Sequence, residues 1–137
     1  MKVLCEIDNI FELDDSSIVE RLKKYIRLSD GQLNIDKNKE YCVYGILFRD
    51  NSPWFYLCLD EDDEYPTPYP AELFNIVDER QSSFWRLSYA SYPNGVVTSS
   101  IVFDEWSKDT SFYERLSDDD PEAIKVFRKY RSLMDKE

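Results

Sequence analysis

Two apolar runs, Tyr41–Phe48 and Trp54–Leu59, stand either side of the polar tetrapeptide Asp50-Asn51-Ser52-Pro53. β-Branched and aromatic residues suit a pleated surface, and Asp, Asn, Ser and Pro suit a turn, so the pair reads as a β-hairpin. Alternation sends Tyr41, Val43, Gly45 and Leu47 to one face and Cys42, Tyr44, Ile46 and Phe48 to the other. Neither face is polar. The strand must therefore be covered on both sides, as in a small barrel or beneath a helix.

The flanking chain supplies partners for this hairpin. Val3, Cys5 and Ile7 alternate with more polar neighbours and predict a first strand. Ser17-Ile18-Val19-Glu20 has the spacing of a capping box, and Ile18, Leu22, Tyr25 and Ile26 follow at helical spacing, predicting a helix over 18–28 that Asp30-Gly31 stops. The YPTPYP segment (65–70) is read as a stiff, non-helical turn, because residues before Pro are pushed to extended geometry. One helical turn is expected at Ala71–Phe74 and a short extended piece at Ile76-Val77. Phe84–Tyr89 and Val96–Phe103 then read as an antiparallel pair about the turn dipeptide Asn94-Gly95. Trp106, Phe112, Tyr113 and Leu116 suit short helices laid on the sheet. Asp120 before Pro121 opens a C-terminal helix whose apolar stripe is Ile124, Phe127, Tyr130 and Met134. The expected fold is a single α+β domain over 1–137. It has a curved antiparallel sheet of about four to six strands, an N-terminal helix and a C-terminal helix.

Charge narrows the range of functions. The chain carries 28 acidic and 17 basic residues, a net of −11. Sixteen acids and only four bases fall in residues 50–120, a net of −12, so the field comes from the centre of the sequence. Such a chain repels phosphate backbones and anionic membranes, so neither direct nucleic-acid nor membrane binding is expected. A basic protein partner is. Cys5, Cys42 and Cys58 are odd in number, lack metal-binding spacing and sit in apolar runs, which predicts buried reduced thiols. The acidic N-terminal stretch is unlike a signal peptide, and no apolar run approaches a membrane span, so a cytoplasmic protein is expected.

Chemistry has few places to reside. There is no His, which removes the commonest general base and metal ligand, and Gly31, Gly45 and Gly95 are too scattered for a phosphate loop. No catalytic residue, metal ligand or cofactor is assigned. The run Asp60, Glu61, Asp62, Asp63 and Glu64 offers hard oxygen ligands suited to Ca²⁺, but without the EF-hand spacing or its central Gly. A carboxylate-based enzyme or Ca²⁺-binding domain stays open as an alternative. Aromatics crowd the same region, and interfaces favour Trp and Tyr anchors rimmed by charge. The expected partner-binding surface is therefore Asp60–Glu64 with Trp54, Tyr56, Tyr65, Tyr69 and Trp85, the competing reading being that these rings fill the core.

From Tyr41 to Trp85 the pattern YxVYGIxFxxxxPWFYLxxDE…YPxPYPAxLFxIVDxRxSxxW resembles small bacterial immunity-type proteins of polymorphic and contact-dependent toxin systems. The resemblance covers about a third of the chain and rests on Pro and aromatic placement. It implies a cytoplasmic, non-enzymatic protein that neutralises a cognate toxin by direct binding, on an SH3-like bent sheet, and it carries no site residues. An inhibitor that imitates DNA charge, borne by a phage or plasmid, is the alternative that charge alone allows.

Overall fold

The computed structural model describes Met1–Glu137. It has two antiparallel sheets and four α-helices, the α+β arrangement expected, and the sheets do not close into a barrel. Strands β1 (Lys2–Cys5), β2 (Glu40–Cys42) and β6 (Phe74–Asp78) form a three-stranded sheet in the order β2-β1-β6. Strands β3 (Gly45–Arg49), β4 (Ser52–Leu57), β5 (Thr67–Pro70), β7 (Trp85–Ser91) and β8 (Val97–Phe103) form a five-stranded sheet in the order β5-β4-β3-β8-β7. Helices α1 (Ser16–Leu22), α2 (Asp104–Ser107), α3 (Phe112–Ser117) and α4 (Pro121–Asp135) complete the chain.

The run expected as one strand over 41–48 divides between the two sheets. It bends at Val43-Tyr44, both buried, where Tyr44 packs edge-on against Phe127 at 5.7 Å and donates to Asp135 at 2.6 Å. A strand with two apolar faces can satisfy both by changing sheets at a corner. Gly45 follows the corner because nothing larger fits. A Cβ there would lie 2.9 Å from Val102 Cγ1 and 3.2 Å from the Ile101 carbonyl oxygen.

The hairpin itself is tighter than its tetrapeptide suggests. Arg49 pairs with Ser52, so the loop is Asp50-Asn51 alone, with φ of 49° and 61°. Two positive φ values match the twist of the flanking strands, and Asp and Asn tolerate them. The pair flanking such a loop exchanges hydrogen bonds, so the next pair, Phe48 with Pro53, does not, and the missing N–H of Pro53 costs no ladder bond.

YPTPYP is an edge strand as well as a stiff turn. Tyr69 pairs with Phe55 and Thr67 with Leu57, while Pro68 and Pro70 alternate with them and face the open edge. That is where a residue without a donor is tolerated in a sheet. The capping box is also corrected. Asp15, not Ser17, is the N-cap of α1, its carboxylate accepting from the Ser17 amide at 2.9 Å, and the regular helix ends at Leu22 rather than 28. Asp outcompetes Ser here because its charge faces the positive end of the helix.

Strand β4 is the centre of the core. Trp54 meets Tyr25, in the turn that follows α1, edge-on at 5.3 Å, and Tyr56 meets Trp106 of α2 at 4.8 Å and Tyr113 of α3 at 5.1 Å. Phe55 faces the other sheet and meets Phe74 at 6.0 Å. The stripe predicted for α4 is buried as a unit, with Tyr130 stacked on Phe103 at 4.1 Å. Replacing Gly45 with Ala should destabilise the protein by about 1–3 kcal/mol, the usual effect of an extra methyl in a filled core. A thermal or urea melt of Gly45→Ala checks this, and an unchanged midpoint would contradict the corner packing.

Candidate functional site

The acidic run occupies the loop between β4 and β5. Asp60, Glu61, Asp62 and Glu64 are exposed and Asp63 is half-buried. Asp63 turns inward. Its Oδ2 accepts from the amides of Leu59 at 2.7 Å and Asp60 at 3.0 Å, folding the loop on itself. From behind, the Arg131 guanidinium donates to the carbonyls of Asp63 at 2.7 Å and Asp60 at 2.9 Å. Arg131 also lies over the Tyr44 ring, 5.7 Å from its centroid. Arg128, one turn earlier on α4, pairs with Glu64 at 2.6 Å. Two arginines spaced i, i+3 thus hold the loop against the helix, one through its backbone and one through a side chain.

Asp60, Glu61 and Asp62 are exposed and take part in no ion pair. A depression of about 480 Å³ lies between the loop and α4, lined by Glu61, Asp62, Asp63, Arg128, Arg131, Ser132, Asp135 and Lys136. Beside it, Glu64 and Asp119 border a second depression of about 340 Å³ with Lys125 and Arg128. Near the start of α4, Glu114, Asp118, Asp119 and Glu122 have no ion-pair partner, whereas Asp120 and Asp109 share Arg115 at 3.0 and 2.6 Å. The exposed edge of α4 is a basic row set among acids.

Only part of the surface expected from the sequence comes together. Asp60–Glu64 and Tyr65, which is 38% exposed, lie on the surface, and Tyr69 is half-buried on the edge strand. Trp54, Tyr56 and Trp85 do not belong to it. They are 2%, 5% and 7% exposed, too little for any of them to anchor a protein partner. The reason is the two-sided burial of β4 and the packing of the sheet against the helices, which consume most of the aromatics. Sequence reasoning missed Arg128, Arg131 and the Glu114–Glu122 group. The signal was present: a row of bases at helical spacing in residues 121–137, which hold five bases against three acids in a very acidic chain.

The three thiols are free, Cys5 and Cys58 buried and Cys42 half-buried. Burial, with the Asp135 carboxylate adding to it, pushes Cys42 up from 9.0 to about 11. Burial pushes Cys58 to about 12, and Tyr56 from 10.0 to about 12. No family model matches this chain, nor does any curated protein or solved structure. No helix is long and apolar enough to cross a membrane.

Two expectations follow from this geometry. Arg131→Gln should speed hydrogen exchange at the Leu59 and Asp60 amides and cost about 1.5–3 kcal/mol, the range for hydrogen bonds made by a charged group. Exchange at the wild-type rate would show that the loop does not depend on the clamp. The thiols and Tyr56 ionise at higher pH folded than unfolded. Their contribution is therefore complete below about pH 9 and is lost as pH rises toward about 12. The melting temperature should fall progressively over that window, and a thiol reagent should label the native protein far more slowly than the unfolded chain.

Proposed function

We propose that this chain is an acidic, non-catalytic binding protein that blocks the basic groove of a partner, as an immunity protein neutralises a cognate toxin. The observation that carries the reading is the clamped loop, in which the backbone of Asp60–Asp63 is fixed from behind while three carboxylates face outward. A loop already ordered loses little entropy when it docks. Its charge draws in a basic surface from a distance and raises the association rate. The absence of His and of any nucleophile motif supports a role without catalysis, and three free thiols suit a reducing compartment such as the cytoplasm.

The partner surface is Asp60, Glu61, Asp62 and Glu64 with Tyr65 beside them, extended along α4 toward Asp119 and Glu122. A nuclease or other nucleic-acid-acting toxin suits it, because the substrate groove of such a domain is basic. Imitation of DNA suits it less. Lys125, Arg128 and Arg131 interrupt the acids, where a phosphate backbone would present an unbroken row.

The test uses a basic partner captured by the wild-type chain and the variant Asp60→Asn/Glu61→Gln/Asp62→Asn. Asp63 is kept because it folds the loop. Association should slow by about tenfold at low salt and lose most of its salt dependence, with dissociation little changed. Association at the wild-type rate across the salt range would end the case for this surface.

A further inference from the structure

A second groove has the opposite charge character to the acidic loop. It holds about 450 Å³ between the chain following α1 and strands β3, β4 and β5. Its walls are Tyr25, Leu28, Trp54 and Tyr69, and its charged lining is Arg27 and Arg49. No carboxylate lines it, although the chain carries 28 acids and each of the other four sizeable depressions has at least one.

Both guanidinium groups lack partners. Neither Arg27 nor Arg49 takes part in an ion pair or a side-chain hydrogen bond, while most other basic residues do. Arg49 instead lies across two rings, 4.8 Å from the centroid of Tyr25 and 4.9 Å from that of Trp54. Its neighbour Asp50, which could have neutralised it, accepts from the Tyr25 hydroxyl at 3.0 Å and pairs with Lys24 at 3.7 Å. Trp54, buried in the wall, has an indole N–H with no acceptor. Tyr25 and Leu28 are 42% and 46% exposed, so the groove presents apolar surface to solvent.

From this arrangement we propose that the groove binds a small planar aromatic carboxylate, independently of the partner surface described above. The volume suits one such molecule, since small-ligand sites run from about 300 to 1,000 Å³. A guanidinium seated between two rings and paired with no carboxylate or carbonyl keeps its N–H groups free, and its fork matches a carboxylate in two parallel hydrogen bonds. Arg27 adds a second positive charge, and the aromatic body lies against Tyr25, Leu28 and Tyr69. Neutral aromatics would gain the apolar contacts alone, so the charge sets the selectivity.

The probe is 2-naphthoate, titrated into the full chain and followed by tryptophan fluorescence and calorimetry, with 2-naphthalenemethanol as the uncharged control. One naphthoate should bind per chain, at least about tenfold more tightly than the alcohol. Arg49→Gln should remove that preference while leaving the alcohol's affinity unchanged. Should Arg49→Gln disturb the rings it covers, Leu28→Glu decides, because it puts a carboxylate on an exposed rim position and should weaken naphthoate without moving the melt. Absence of saturable binding at about 1 mM, equal affinity for acid and alcohol, or indifference to Leu28→Glu would each overturn the proposal.

Discussion

Burial of one strand on both faces governs this structure. Trp54, Phe55, Tyr56 and Leu57 are consecutive and 2%, 3%, 5% and 1% exposed, so alternation cannot send any of them to water. Each such side chain contributes about 1.5–3 kcal/mol when removed from solvent. Two different layers are needed to collect it. Tyr25, Trp106 and Tyr113 cover one face and Phe74 of the second sheet meets the other. β4 also needs a neighbour on each edge, which β3 and β5 provide, so the Pro-rich segment is held as a strand by what it has to cover.

Much of this was legible in the sequence. Period-two alternation marked β1, the turn dipeptide Asn94-Gly95 marked the β7–β8 pair, and Asp120-Pro121 with a four-residue stripe marked α4, because those signals act within a few residues. What was not legible depended on contacts distant in sequence. The break at Val43-Tyr44 comes from Phe127 and Asp135, more than eighty residues on, and nothing local to 41–48 distinguishes one long strand from two short ones. The same limit misplaced Trp54, Tyr56 and Trp85. A Trp beside an acidic loop has the composition of an interface anchor, and only the number of layers over the sheet shows that it lies in the core.

Charge illustrates a related distinction. A net of −12 over residues 50–120 suggests a uniform negative surface, yet the fold brings the net-positive C-terminal segment onto that block. Fields fade over about 8 Å at physiological salt, so a partner senses the local arrangement of groups more than the total. Locally the loop is divided: Asp63 serves its own backbone, Glu64 meets Arg128, and the remaining three acids face outward. The groove at Arg49 shows the converse, a pair of cations left free within an acidic protein.

Helix α4 connects these features. One stripe of it, Ile124, Phe127, Tyr130 and Met134, enters the core, while Arg128 and Arg131 on another side fix the acidic loop. Asp135, near its C-terminus, receives the Tyr44 hydroxyl at the corner where the chain passes between sheets. The helix therefore sits in register with the core through apolar packing and with the surface through guanidinium groups, and neither can shift without the other. Loop order becomes a property of global stability, since the donors that hold Asp60 and Asp63 are placed by the burial of residues three and four positions away along the same helix. A surface built this way presents its charges at fixed spacing for as long as the core is intact, which a free acidic tail of the same charge would not do.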